Sequence, residues 1–380
     1  MNREPRTVNQ NRMATIAVLG GGAGGHAVAA DCALAGHSVH WLELPEGIAA
    51  LEPARQSRTI AVIGRGPEPL PARLESVSED FARVIPGADH IFVVTAGSGH
   101  GPMADACAPH MRDGQTAVFL GGGGGSLVLR KVLRDRGLRR DVLIGETNNL
   151  PYMARLQEPG RVLATRKGGG TLLGAYPGRR TAELATRLGV FWPYLTPAAN
   201  LLEVIVTNFD TVDRVAPMVC NAAALETRAA PFLLYGQGAS PAVARVIEAV
   251  DDEILALRAA LGSPNQTPYR DYLVQQGLLD APQSTTYEAI RRSALSASVF
   301  PCGPDALRTR NLPEDVPYPT VLIASIGDAV GVDMPVIDGL IALASALNGE
   351  DYRKRGRTLE ILGLGGLNRD ALLLTVNEGG

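Results

Sequence analysis

TIAVLGGGAGGHAVAADCALAGHSVHWLE, residues 15–43, decides the fold class. A short β-branched and apolar run leads into a loop with five glycines in six positions, Gly20 to Gly25, and the loop opens a helical stretch closed by Gly36. Gly20, Gly22 and Gly25 have the spacing that lets a backbone turn tightly, approach a ligand and pack a helix on a strand. A helix starting there offers unpaired N–H groups and the positive end of its dipole to an anion. The next strand, SVHWLE, ends in Glu43, about 20 residues on, where a carboxylate accepts from ribose hydroxyls and repels a 2′-phosphate. Strand, glycine loop, helix and acidic residue together read as a dinucleotide site, with Gly20, Gly22, Ala23, Gly24, Gly25 and Glu43 as cofactor-binding residues. A tight turn with no ligand is the bland alternative. Glu43 favours NAD(H), and NADP(H) stays open because the following loop is unread.

Outward from this unit, short β-branched runs alternate with helical patterns: HIFVVT (90–95), TAVFLG (116–121) and DVLIGE (141–146). Such alternation predicts a parallel sheet with crossover helices. RVLATR (161–166) and TLLGAY (171–176) are expected to extend it. After about residue 200 the texture changes to long helical periodicity, as in 241–261 and 334–349. The expected organisation is α/β: a Rossmann-like dinucleotide-binding domain over 13–199, then an all-helical substrate domain over 200–380. The active site would lie in the cleft between them.

Composition excludes several classes. A net charge of -3 and a pI near 6.1 give no electrostatic case for nucleic acid or an anionic membrane. No apolar run is long enough to span a bilayer. The polar start, 1–12, reads as a disordered extension rather than a signal peptide. Cys32, Cys107, Cys220 and Cys302 lie far apart without CxxC spacing, so they read as buried small hydrophobes in a reducing, cytoplasmic compartment. The six histidines show no metal-ligand spacing, and no metal is expected.

Further loops sit at strand ends where the cleft would open. TAGSGHGPM (95–103) contributes Thr95, a cofactor candidate, and His100. GGGGGS (121–126) permits close approach to a ligand, or is merely a flexible turn. Glu146, Thr147 and Asn148 close another strand, where fold-stabilising hydrogen bonds compete with substrate contact; Glu146 is kept as a substrate candidate.

These motifs, with the second half, resemble the opine dehydrogenases, the octopine/nopaline and N-(1-carboxyethyl)amino-acid dehydrogenase family. The resemblance runs from about residue 15 to the end: LGGGAGGHAVAADCALAGHSV, IGET, TNFDTVDRVAPMVCNAAALE, STTYEAIRRSA, RTRNLPEDVPY and DYRKRGRTLEILGLGGL. It implies a Rossmann domain joined to a helical one, and NAD(P)H-dependent reductive condensation of an amine or amino acid with a 2-oxo acid. It carries the family's catalytic Arg and Asp onto Arg310 and Asp315. A fixed guanidinium holds a carboxylate bidentately, although the two residues also suit a surface ion pair. Asn208, Asn221 and Tyr287 fall in matching segments; Asn208 and Tyr287 are kept as substrate-binding candidates.

The resemblance breaks at one place. The family's catalytic histidine falls on Arg214, and its proline on Val215. Arginine stays protonated, so it is a poor acid–base catalyst and a good anion clamp. Asp210 and Arg214 are i and i+4 neighbours, for which a salt bridge is the bland reading. Three accounts stay open: His100 or Asp210 relays the proton, an iminium substrate needs no base, or activity has been lost. Two rival functions accompany the main one: a hydroxy-acid or alcohol dehydrogenase acting on a preformed carbonyl, and a non-catalytic dinucleotide-binding protein. A homodimer through the helical half is the expected assembly.

Overall fold

The computed structural model describes residues 13–166, 169–309 and 311–379. The extension expected at 1–12 and the candidate Arg310 lie outside the described residues.

Eight strands form the main sheet, in spatial order Thr196–Pro197, Leu172–Tyr176, Leu143–Thr147, Thr116–Leu120, His90–Val93, Thr15–Leu19, Ser38–Leu42 and Ser76–Ser78. Neighbours are parallel except Leu172–Tyr176, which runs antiparallel to Leu143–Thr147. Thr15–Leu19 pairs with Ser38–Leu42 on one side and His90–Val93 on the other. The winding reverses there, and a crevice opens beyond the carboxyl ends of the strands. Every residue of Thr116–Leu120 is buried, because both faces of the sheet are covered, and the run therefore carries no polar alternation.

Only one of the two expected extensions joins this sheet. Leu172–Tyr176 does so, whereas Arg161–Arg166 belongs to a second sheet, ordered Leu70–Arg73, Thr59–Ile63, Arg161–Arg166, Tyr152–Glu158. This sheet covers the outer side of helix Ala23–Leu34. The helix is accordingly buried without a break from Gly25 to Cys32. Its glycines and alanines allow two sheets to close on it; larger side chains would hold them apart. The one carboxylate in that stretch, Asp31, is satisfied by the second sheet's side. Tyr152 Oη donates to it at 2.6 Å, Arg65 Nη1 at 2.7 Å and Arg166 Nε at 2.8 Å. Burial alone would raise the Asp31 pKa, but these donors outweigh it and hold the carboxyl below its ordinary value.

Beyond Pro197 the chain is helical apart from a two-residue ribbon pairing Phe232–Leu233 with Val299–Phe300. Asn200 caps helix Leu201–Val206, accepting from Leu202 N and Glu203 N. That helix packs on strand Leu172–Tyr176, so the two halves share a continuous core. Helix Pro241–Ala260 starts at the Ser240 cap and turns Ala244, Ile247, Val250, Ile254 and Leu257 inward, the stripe its periodicity predicts. Pro335–Asn348 ends at Gly349 in the left-handed region, φ 66°. Cys32 and Cys107 are buried as expected, but Cys220 is exposed and Cys302 half-buried; all four are free thiols. Among the described residues, no helix is long and apolar enough to cross a membrane.

Candidate active site

The glycine loop turns exactly where the sheet's winding reverses. Gly20 has φ 120°, and a Cβ there would stand 2.2 Å from Val94 O, so only glycine fits. Trp41 Nε1 donates to Gly20 O at 3.0 Å and fixes the turn. Gly22 precedes helix Ala23–Leu34; nothing lies within 4 Å of its hypothetical Cβ, and no side chain caps the helix. No capping side chain therefore takes up the N–H groups of the first turn. Glu43 lies at the rim, half-buried, where Leu44 N donates to its Oε1 at 2.8 Å and Gly21 N to its Oε2. Thr95 borders the same loop: Cβ atoms added at Gly20 and Gly99 would both meet its side chain. The cofactor candidates thus form one cluster, and it fits a dinucleotide: backbone donors at a helix start, room above them, and a fixed carboxylate beside them.

Two other loops close on this cradle. Gly121, Gly122, Gly123 and Gly124 all have positive φ, which is why the run is glycine. Glu146, read from the sequence as a substrate contact, is instead fully buried beneath this loop. It accepts from Gly124 N at 2.6 Å and Ser126 N at 2.9 Å, capping the start of helix Gly125–Asp135. Burial raises its pKa, against those hydrogen bonds and the Arg357 charge. His100, the first acid–base candidate, is likewise buried. Its Nδ1 faces Arg357 Nη1 at 3.1 Å, and the ring packs edge-on against Phe119 at 5.1 Å. Burial, then the Arg357 charge, holds this imidazole well below its ordinary pKa. It is enclosed, neutral and engaged.

The stretch where the resemblance breaks lies beside these loops. Asn208 Nδ2 donates to Gly121 O at 3.4 Å, while its Oδ1 accepts from Asp210 N at 2.9 Å. Residues Thr211–Val215 form a π-helical turn, and Val316–Thr320 forms a second. The Thr211 and Thr320 hydroxyls join them at 3.0 Å. Such widened turns concentrate at functional sites. Between them Arg214 pairs with Asp210 and points Nε at Asp315 Oδ2, 3.4 Å away. Asp315 is buried, and its Oδ2 makes no hydrogen bond among the described residues. Burial raises its carboxyl well above the ordinary range; the Arg214 charge opposes this, and neighbouring acids reinforce it. Tyr269 donates to Asp213 Oδ2 at 3.3 Å, and burial together with the Asp213 charge keeps Tyr235, Tyr269 and Tyr272 protonated. Tyr287, the sequence's tyrosine candidate, is half-buried on helix Thr286–Arg292 and, among the described residues, shares no hydrogen bond with this cluster. Asn221 donates to Pro217 O and Gly238 O, which is a structural role.

The NAD/NADP octopine/nopaline dehydrogenase α-helical domain family matches residues 197–348. The opine dehydrogenase of Arthrobacter sp. (strain 1C) is 33% identical over 355 residues, covering 93% of this chain and 96% of that protein. The chain belongs to the opine dehydrogenase family. It is therefore an NAD(P)-dependent oxidoreductase acting on a CH–NH bond, by reductive condensation of an amino acid with a 2-oxo acid. The ocs protein of Agrobacterium vitis is 25% identical over 79% of this chain and 82% of its own length. In fold, the chain is similar to an octopine dehydrogenase solved with NADH and L-arginine: TM-score 0.78, 21% identity, 97% of this chain and 99% of that one. A yersinopine dehydrogenase solved with NADP+ has TM-score 0.68 at 15% identity, covering 96% of this chain and 98% of its own.

Sequence reasoning missed Arg357, Tyr318 and the tyrosines around Asp213. For this opine dehydrogenase family member, Arg357 lies in DYRKRGRTLEILGLGGL, a segment that carries the resemblance but gives no local sign of the role of any one of its arginines. Tyr235, Tyr269 and Tyr272 carry no local signature; only packing brings them to Asp213.

Proposed function

We propose that this chain uses NADH to reduce the C=N bond formed between an amine or amino acid and a 2-oxo acid, in the cleft between residues 13–199 and 200–380. The observation that carries the reading is the junction itself: the loop after His90–Val93 touches the glycine cradle through Thr95, and through Gly97 it packs on Tyr318. That loop thereby links the cofactor cradle to the π-helical turn that follows Asp315.

In this reading the backbone of Gly20, Gly22, Ala23, Gly24 and Gly25 holds pyrophosphate, and Glu43 accepts from the adenosine ribose, which favours NADH over NADPH. The reduced nicotinamide supplies the hydride. Arg214 is the anion clamp: its Nε and Nη2 face Asp315 and Asp210, and a planar guanidinium in that position suits a substrate carboxylate. Arg310 keeps the carboxylate-binding role that the resemblance implies. Amine attack on the oxo carbon gives a carbinolamine, and water leaves only if its hydroxyl gains a proton. Asp315, buried and favouring its protonated form, is the donor we assign, with Asp210 returning the proton from solvent. His100 then positions rather than reacts. Asn208 fixes the start of the substrate-side turn. Tyr287 stays a rim contact for the amine. The four free thiols support a reducing, cytoplasmic setting. Exposed Leu343, Ile361 and Leu374 support a homodimer through the helical half.

The test is NADH consumption with pyruvate, oxaloacetate and glyoxylate, each with and without a panel of amino acids. Amine-dependent consumption is expected. Equal turnover without amine would overturn this reading in favour of a hydroxy-acid dehydrogenase, and binding without turnover across the panel would favour a non-catalytic role.

A further inference from the structure

Arg357 belongs to the helical half yet ends in the nucleotide half. Its backbone N donates to Pro317 O at 2.6 Å, inside the π-helical turn that follows Asp315. Its guanidinium lies over the Tyr318 ring, 4.9 Å from the centroid. From there Nη2 donates to Gly97 O at 2.9 Å, and Nη1 reaches both Gly123 O and His100 Nδ1. One buried cation thus bridges the two glycine loops at the carboxyl edge of the sheet. The planar fork explains the residue type: an ammonium has no geometry for two carbonyls and a ring nitrogen in one plane. Glu146 beneath the second loop offsets the charge from the other side. The same arrangement gives His100 a task. An unprotonated Nδ1 is the acceptor that the Arg357 fork requires.

We infer that Arg357 is a positioning residue for the reaction: it sets the separation of the 95–100 and 121–126 loops, and so the shape of the cofactor cleft, and ties that shape to the π-helical turn that follows Asp315. This rests on the dinucleotide reading given above. Gly97 supplies an independent handle. It abuts Tyr318 so closely that a Cβ would stand 2.4 Å from the ring, so Gly97→Ala forces the same loop away while leaving Arg357 intact.

The experiment is a fluorescence titration of NADH with wild type, Arg357→Met, Arg357→Lys and Gly97→Ala, at a temperature where circular dichroism shows each folded, alongside kcat and KM. Kd and KM for NADH should rise about tenfold or more in Arg357→Met and Gly97→Ala, out of proportion to any fall in kcat. Arg357→Lys should recover only part of the affinity. If Arg357→Met does not fold, Gly97→Ala carries the test. NADH affinity within twofold of wild type in the folded variants would overturn the inference. Failure of wild type itself to bind NADH would instead sink the cofactor reading on which it rests.

Discussion

Arg214 Nε stands 3.4 Å from Asp315 Oδ2, while the other end of the same guanidinium pairs with Asp210. This cation occupies the position where the family's histidine falls; in the proposed reaction, charge stabilisation goes to Arg214 and proton transfer to Asp315.

Removing the cation takes away the charge that opposes burial at Asp315, so that carboxyl favours its protonated form still more and no bare charge is left behind. Arg214→Met is expected to lose about 1 kcal/mol in denaturant unfolding, the scale of its partly exposed ion pair with Asp210. Arg214→Lys should fold better but reach only one carboxylate, with kcat/KM for condensation down at least about tenfold. Wild-type kcat/KM in either variant would remove Arg214 from the site.

Asp315 should impose a pH dependence. Burial raises its carboxyl well above the ordinary range, so the folded chain holds the proton more tightly than the unfolded one. Its stabilising contribution is complete below the ordinary carboxyl value and is lost as pH rises through the folded value. If it donates to the carbinolamine, kcat/KM falls through the same window. Asp315→Asn should flatten the alkaline limb and lower the rate by about 10²-fold or more. An unchanged profile would mean the proton comes from elsewhere.

Gly22 and Gly25 should behave oppositely. A Cβ at Gly25 would lie 1.8 Å from Gly20 O, so Gly25→Ala should disrupt the turn and the fold with it. At Gly22, where φ is -72°, nothing lies within 4 Å of an added Cβ. Gly22→Ala should therefore melt within about 1 kcal/mol of wild type while weakening NADH binding, since the methyl fills the cradle. Undiminished NADH affinity in Gly22→Ala would place the cofactor somewhere else.

Glu43 should decide the nicotinamide preference. Glu43→Ser removes the carboxylate that would repel a 2′-phosphate, so the NADPH-to-NADH ratio of kcat/KM should rise about tenfold or more. Glu43 also accepts from Gly21 N, so some loss of NADH affinity should accompany the change. A ratio that does not move would show that another residue reads the ribose.

The sequence by itself determined the Rossmann half and the helical half, because those signals are local. The glycine spacing from Gly20 to Gly25 follows from contacts within one strand–turn–helix unit, and the stripe of Pro241–Ala260 from the pitch of one helix. The positions of Glu43 and Thr95 were legible for the same reason: they lie just past the ends of the two parallel strands that flank Thr15–Leu19, whose direction the pattern sets. Where contacts join distant segments, the tertiary structure alone decided. The second sheet pairs Thr59–Ile63 with Arg161–Arg166 across about a hundred residues, in short, half-exposed strands of weak alternation. Glu146 reads as a cleft residue until the buried start of helix Gly125–Asp135 claims both its oxygens. His100 reads as a catalyst until Arg357, 257 residues away, takes its free nitrogen. Periodicity reports which way a side chain faces from its own strand or helix. Which partner meets it there depends on how the two halves pack.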